Sequence, residues 1–266
     1  MGMTKFPGGI GFLRRRMAPG GAGFSPEIWH DCPILGLMAD PGLGVLAGDD
    51  FTVVQATGFP YELSGTNVTF AAVASYPGTA LLNCPGTDND EAHIAFNNDV
   101  AGLITCNATN IWWYEARVKL SQIAAEGGVF VGLLDEAASA DDILANNSMI
   151  LTATIDCLGF QIVNAAAPLT YWQTMMQLAA RAAVSATAAA VSTSYIKLGM
   201  KSVPNAAKTV ATITFYVDGV PLADTTTTAA TDYPLDQVLI PHFGIKTASA
   251  AAFGLTIDWW RAAQLA

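Results

Sequence analysis

The stretch that most constrains the fold is IWWYEARVKL, residues 111–120. On a β-strand, successive side chains point to opposite faces. One face of this stretch is then apolar, and the other carries Glu115, Arg117 and Lys119. The alternation predicts a strand with one face in a core. We interpret the charged side chains as a cross-strand ladder that supports a surface or a neighbouring molecule.

Short runs of the same kind recur from Asp49 onward, separated by Gly, Pro, Asn and Asp. This spacing is typical of an antiparallel sandwich or barrel, so we predict an all-β domain over residues 49–266. In TFYVDGVPL, Asp218-Gly219 predicts a two-residue hairpin turn, because a type I′ turn needs positive φ at both positions. Residues 177–194 are rich in alanine and leave two alternatives open, a strand with an ordered loop or a helix.

Residues 1–48 have a different character from the rest of the chain. They are dense in Gly and Pro without periodicity, so we predict an extended, mostly irregular N-terminal arm. Their large apolar side chains indicate that the arm lies along its own body or on a partner. The first 16 residues of the arm contain four basic side chains and no acidic one. Residues 17–266 carry 8 basic and 22 acidic residues, a net charge of −14. A basic tail on an acidic body is typical of an arm that reaches another surface.

Composition excludes several classes of function. A net charge of −10 argues against a general nucleic-acid binder, which needs clustered Lys and Arg. No apolar span is long enough for a membrane helix, and we expect no signal peptide, because the arginine run follows the apolar residues of the N-terminus instead of preceding them. The four cysteines have no metal-ligand spacing; free buried thiols are favoured, with two disulfides as the alternative. We expect no cofactor and no metal.

Catalytic signatures are missing from the sequence. It contains no GxSxG elbow, HExxH motif or P-loop. His30, His93 and His242 are isolated along the chain, and we interpret each as structural. We interpret the acidic clusters at 88–91 and 135–142 as solvated acids in turns, with calcium binding as an alternative. The chain is therefore predicted not to be an enzyme.

Tryptophan side chains are the remaining candidates for a binding surface. Strict alternation in the last strand places Trp259 on the apolar face and Trp260 on the opposite, outward face, and in the earlier pair Trp113 points outward. An outward ring can stack on a sugar or anchor an interface, a role for which tryptophan is enriched. We therefore predict Trp113 and Trp260 as candidate glycan or interface aromatics.

The order and wording of the strands resemble a known family. IWWYEARVKLS, GGVFVGLLDE, FYVDGV and IDWWR are similar to segments of concanavalin A-like jelly-roll domains of the laminin-G and glucanase type, over about residues 49 to 264. More narrowly, the DDF, DNDEAHI, EARVK, FVGL and DWWR segments resemble such domains encoded by tailed bacteriophages. The resemblance implies a single domain of two antiparallel sheets. Glucanase activity is not implied, because the ExDxE pattern is absent.

Two functions follow from this resemblance. The leading one is a capsid decoration or cement protein on the surface of a phage head, assembled in the host cytoplasm. Its expected partners are the major capsid protein and copies of itself, and a homotrimer is one arrangement of those copies. The arm residues predicted to contact the capsid are Lys5, Phe12, Arg14, Arg15, Arg16, Phe24 and Trp29. The alternative is a glycan-binding, lectin-like module, either a virion adhesin or a secreted domain.

Overall fold

The computed structural model describes most of the chain from Gly23 to Ala266. The described residues are 23–51, 61–66, 68–73, 78–96, 103–124, 126–135, 143–146, 151–152, 155–164, 169, 171–178, 181–184 and 188–266. None of the helices among them is long and apolar enough to cross a membrane.

The described residues form two short α-helices, one 3-10 turn and seventeen strands. The helical elements are α1 (Pro26–Trp29), α2 (Ile34–Ala39) and the 3-10 turn Pro41–Leu43. The strands are β1 (Gly44–Asp49), β2 (Tyr61–Gly65), β3 (Thr69–Ala72), β4 (Ala80–Cys84), β5 (Glu91–Phe96), β6 (Ile104–Thr105), β7 (Trp112–Leu120), β8 (Gly127–Asp135), β9 (Cys157–Asn164), β10 (Tyr171–Leu178), β11 (Arg181–Val184), β12 (Ala189–Ala190), β13 (Ile196–Pro204), β14 (Ala211–Val217), β15 (Val220–Thr227), β16 (Val238–Thr247) and β17 (Phe253–Leu265).

The strands build two antiparallel sheets packed face to face, as predicted. The eight-stranded sheet runs β15-β14-β13-β7-β17-β4-β3. Strand β1 pairs with the C-terminal half of β17, and β4 pairs with its N-terminal half. The nine-stranded sheet runs β11-β10-β9-β8-β16-β5-β2, with β12 on β10 and β6 on β16. The architecture is an antiparallel jelly-roll sandwich, and the all-β prediction is confirmed.

Alternation along β7 shows how the sequence builds the sandwich. Trp112, Tyr114 and Ala116 point into the core between the sheets, where each is fully buried. Trp113 and Glu115 point to the outer face of the eight-stranded sheet. The predicted division of this strand into two faces is therefore confirmed, although its outer face is covered by other residues.

The last strand departs from strict alternation. The register of β17 against β7 shifts between Ile257 and Trp259, which marks a β-bulge. Beyond the bulge the faces are exchanged, so Trp260 lies in the core between the sheets while Trp259 lies on the outer face. The prediction that Trp260 points outward is wrong for this reason.

The described part of the N-terminal region, from residue 23 onward, packs against the body. Residues 23–43, which we call the N-terminal strap, contain both helices and lie on the outer face of the eight-stranded sheet. Strand β1 then pairs with β17 from Gly44↔Leu265 to Asp49↔Trp260. The sheet therefore takes in residues 44–48, which the sequence assigned to the arm, and the strap lies along its own body.

Three further predictions are confirmed. Asp218 and Gly219 have φ of 51° and 81°, as the type I′ hairpin requires. The described part of 177–194 contains the end of β10 with β11 and β12 and no helix, so the strand-and-loop alternative holds there. All four cysteines are free; Cys32 is half-buried and the other three are buried.

Candidate functional site

Two histidines meet on the outer face of the nine-stranded sheet. His93 on β5 lies opposite Gly244 of β16, and its neighbour Ala95 lies opposite His242. The two imidazole rings are therefore diagonal neighbours across the ladder, with centroids 5.6 Å apart. Although the two histidines are isolated along the chain, the fold brings them together, because β5 and β16 are far apart in sequence but adjacent in the sheet.

His242 lies between small residues at the centre of this face. The residues directly opposite it are Ala95 on β5 and Gly132 on β8. The Phe130 ring lies 6.4 Å from the His242 ring, on the side away from His93. His242 is only 1% exposed, and neither of its ring nitrogens has a hydrogen-bond partner among the described residues. Burial lowers the pKa of His242 well below its usual 6.5, and the neighbouring His93 lowers it further.

Two more polar side chains on the same face carry buried oxygens. Gln161 on β9 lies opposite Phe130, and its Oε1 has no partner among the described residues. Glu62 on the edge strand β2 lies opposite Ala95, and its Oε2 is likewise without a described partner. Glu62, His93, Gln161 and His242 are called the histidine face below. It spans five neighbouring strands, about 19 Å at a spacing of roughly 4.8 Å per strand.

The polar edge of this face is accessible at β2. Glu62 and Ser64 are half-buried, whereas His93 and His242 behind them are buried. The Ser64 hydroxyl and His93 Nε2 are hydrogen-bonded at 3.2 Å, which fixes the orientation of the imidazole. A buried polar atom without a partner costs free energy unless another group pairs with it. The arrangement therefore favours a ligand that supplies hydrogen bonds to the histidine face.

A buried ion pair fastens a covering segment beside the histidines. Lys246 Nζ lies 2.9 Å from Glu91 Oε2, and both side chains are almost fully buried. Lys246 also donates to the carbonyl oxygen of Leu144 at 2.6 Å, and the Leu144 N–H donates to Glu91 Oε1 at 2.9 Å. These contacts hold residues 143–146 on the sheet, with Ile143 above Gly244.

The acidic clusters take structural roles where they are described. Asp90 accepts a hydrogen bond from the Thr87 N–H and closes a turn, but it is buried, so its interpretation as a solvated acid is wrong. Glu91 is buried on β5 and paired with Lys246, so its interpretation as a solvated turn acid is wrong. Residues 136–142 lie outside the described residues. Across the part of the chain that is described, no group of three or more metal-ligating side chains comes together.

The predicted arm residues that are described are buried against the chain itself. Trp29 is 2% exposed, and its Nε1 donates to Glu115 Oε2 at 2.9 Å. Phe24 packs edge-on against Trp259 with ring centroids 5.0 Å apart. Their apolar surface is used within the molecule, so neither presents a surface to a capsid in this structure. The other predicted contact residues lie outside the described residues: Lys5, Phe12, Arg14, Arg15 and Arg16.

The predicted aromatic binding residues are inaccessible for two different reasons. Trp113 does point outward, but the strap covers it and Asp31 accepts a hydrogen bond from its Nε1 at 3.1 Å. The Asp31 carboxylate also pairs with Lys201, and the bonds to Trp113 and Lys201 lower its pKa against the opposing effect of burial. Trp260 is in the core, where its Nε1 donates to Tyr61. Neither indole is exposed to a glycan.

The fold is similar to that of solved plant lectins. Peanut lectin with a 9-residue peptide matches with a TM-score of 0.52 and 11% identity, over 84% of this chain and 98% of that one. Basic winged bean lectin with Tn-antigen matches with a TM-score of 0.53 and 6% identity, over 84% and 99%. A Lotus tetragonolobus seed lectin matches with a TM-score of 0.50 and 10% identity, over 84% and 99%.

These likenesses establish the fold, which is the concanavalin A-like jelly roll that the sequence resemblance implied. No protein-family model and no curated protein matches the chain. Nothing in the comparisons connects the chain to virion proteins.

Proposed function

We propose that this protein is a non-catalytic carbohydrate-binding domain whose ligand contacts the histidine face. The observation that carries the proposal is His242, a buried imidazole with both nitrogens unpartnered within the described residues. The fold supports it, because the basic winged bean lectin that matches this chain was solved with Tn-antigen. This replaces the capsid-decoration hypothesis as the function that the structure supports best.

Carbohydrate hydroxyls match the chemistry of this face. A neutral imidazole has one N–H donor and one nitrogen acceptor, and the amide of Gln161 and the carboxylate of Glu62 add oxygen acceptors. Each sugar hydroxyl can donate one hydrogen bond and accept others, so neighbouring hydroxyls can satisfy several of these atoms together. The residues directly opposite His242 on the two adjacent strands, Ala95 and Gly132, are small, so no bulky side chain stands directly across from it.

Glycoside hydrolysis fits this face less well. That reaction uses two carboxyl groups on opposite sides of the scissile bond, one acting as an acid and the other as a base or nucleophile. Glu62 and Glu91 are the carboxylates that the described parts of β2 and β5 place on this face. Glu91 pairs with Lys246 and accepts a hydrogen bond from the Leu144 N–H, so its carboxylate has a structural role. Binding without bond cleavage is therefore our proposal.

A glycan array followed by calorimetry tests the proposal. The full chain is first screened against immobilised oligosaccharides, and the affinity for the best ligand is then compared with those of His242→Gln and Gln161→Ala. Loss of a buried hydrogen-bonding group lowers affinity by about 10- to 100-fold. His30→Gln is the matched control, because His30 is exposed and lies on the strap, away from the histidine face. Variants with unchanged affinity and an intact fold, or a chain that binds no glycan, would refute the proposal.

The virion function, its capsid partner, the trimer and the head-surface location stay predictions. Two of the seven proposed arm contacts are buried within the molecule, and the other five lie outside the described residues. Quantifying the chain in purified particles against the major shell protein would test this function. A fixed near-integer ratio would support it, and absence from particles would contradict it.

A further inference from the structure

The ionised groups that face His242 come from three strands. Glu91 of β5 and Lys246 of β16 form a buried pair and cancel each other. Glu62 of β2 adds a carboxylate that no described cation neutralises at salt-bridge distance. The neighbouring positions on β8 and β9 are uncharged, as is the covering segment 143–146. At a pH above the usual range of histidine titration, the local balance is therefore negative.

The hydrogen-bonding groups of the face are mostly acceptors, which also disfavours an anionic ligand. For Glu62, Gln161 and His242, the buried atoms without a described partner comprise three acceptors, which are one nitrogen of neutral His242, Gln161 Oε1 and Glu62 Oε2, and one donor, the remaining His242 nitrogen. A ligand must mainly donate hydrogen bonds to satisfy them. A hydroxyl donates, whereas a carboxylate, sulfate or phosphate group only accepts and adds negative charge beside Glu62.

From this balance we infer that the histidine face selects neutral carbohydrates and excludes acidic ones, an inference that rests on the proposed function. The selectivity comes from Glu62 at the accessible β2 edge, which an entering ligand meets before it reaches His242. A site discriminates most strongly when the wrong ligand leaves its buried polar groups unpaired or faces a like charge. The excluded class includes uronic acids, sialylated glycans and sulfated sugars.

Calorimetry on matched neutral and acidic ligands tests this inference. The best neutral oligosaccharide from the array is compared at pH 8 with the same oligosaccharide carrying a uronic acid in place of one neutral residue. We expect binding of the acidic ligand to be weaker by roughly a hundredfold, the effect of placing two like charges next to each other. Equal or tighter binding of the acidic ligand would overturn the inference and leave the proposed function standing. A chain that binds neither class would overturn both.

Glu62→Gln separates charge from shape. The amide keeps one oxygen acceptor and the size of the side chain but removes the negative charge. We expect the affinity ratio between the neutral and acidic ligands to fall at least about tenfold, mainly through tighter binding of the acidic one. Glu27→Gln on the strap is the control, since Glu27 is exposed and lies on the other sheet. An unchanged ratio in Glu62→Gln would show that Glu62 is not the selecting group.

Discussion

Trp29 and Glu115, 86 residues apart in sequence, are joined by a buried hydrogen bond of 2.9 Å from the indole Nε1 to Oε2. The same oxygen accepts the Ser25 N–H at 3.0 Å. One carboxylate therefore fastens the N-terminal strap to the middle of the eight-stranded sheet. The contact also explains how an outward-pointing charged residue of β7 comes to be fully buried.

The first prediction concerns this contact. Glu115→Ala should lower the free energy of unfolding by about 2–3 kcal/mol, because two buried donors lose their acceptor. Glu115→Gln should cost less, since its amide oxygen can still accept. Urea unfolding followed by tryptophan fluorescence measures both. An alanine variant as stable as the parent would show that the strap is not held by Glu115.

The second prediction is a pH dependence at the same residue. Burial raises the pKa of Glu115 above its usual 4.5, against the opposing effect of the bonds from Ser25 and Trp29 and of Lys197. The folded state then holds the proton more tightly than the unfolded state. Stability from protonation is fully present below pH 4.5 and is lost as the pH rises through the folded pKa. In Glu115→Gln this decline should disappear, whereas the exposed Glu27→Gln should keep it; equal pH slopes in both would contradict the prediction.

The third prediction tests how the strap packs. A Cβ on Gly199 would lie 2.4 Å from Cδ1 of Ile28, so Gly199→Ala should destabilise the fold by about 1–3 kcal/mol. Ile28→Ala alone should cost about 2–5 kcal/mol, because Ile28 is fully buried. The double variant should be more stable than the sum of the two losses predicts, since each change removes the other's clash or cavity. Simple additivity in a double-mutant cycle would contradict this packing.

The fourth prediction is acid sensitivity from His242. Burial, with a contribution from His93, lowers its pKa well below 6.5, so the unfolded state takes up a proton before the folded state does. The stabilisation from a neutral His242 is fully present above pH 6.5 and is lost progressively as the pH falls below 6.5 towards the folded pKa. Unfolding measured between pH 7.5 and 5 should decline less steeply in His242→Gln than in the parent. His30→Gln should decline like the parent; identical slopes in all three proteins would refute the prediction.

The fifth prediction concerns the pair beneath the covering segment. Lys246→Met should cost about 3–5 kcal/mol, because it leaves the buried carboxylate of Glu91 without its cation. Adding Glu91→Gln should restore part of this loss, since the amide removes the charge and can still accept the Leu144 N–H. Thermal unfolding of the parent, both single variants and the double variant measures the coupling. A double variant no more stable than Lys246→Met would contradict it.

The sequence was sufficient for features that depend on local patterns. Alternation predicts the two faces of β7, and Asp218-Gly219 predicts the hairpin between β14 and β15. Both succeed because side-chain direction and turn conformation depend on a few neighbouring residues. Trp260 was misplaced because a single bulge exchanges the faces of a strand without any composition signal. The resemblance over about residues 49 to 264 implied the jelly roll, which the structure confirms.

The candidate site was beyond sequence reasoning for a different reason. His93 and His242 are polar residues on the outward side of two largely buried strands, EAHIAF and VLIPHFGIKT, and this polar interruption was the available signal. Their adjacency depends on the pairing of β5 with β16, which lies in the long-range topology. The burial of Glu115 depends likewise on a strap from another part of the chain.

The most direct test of carbohydrate binding at the histidine face is an NMR titration of the three histidine Cε1–H signals. The protein is titrated with the best neutral oligosaccharide from the array, and single His→Gln variants assign the signals. We predict that the signals of His93 and His242 shift together and saturate, while the signal of exposed His30 does not move. Saturable glycan binding that leaves both His93 and His242 unshifted, or no binding to any glycan, would contradict the account.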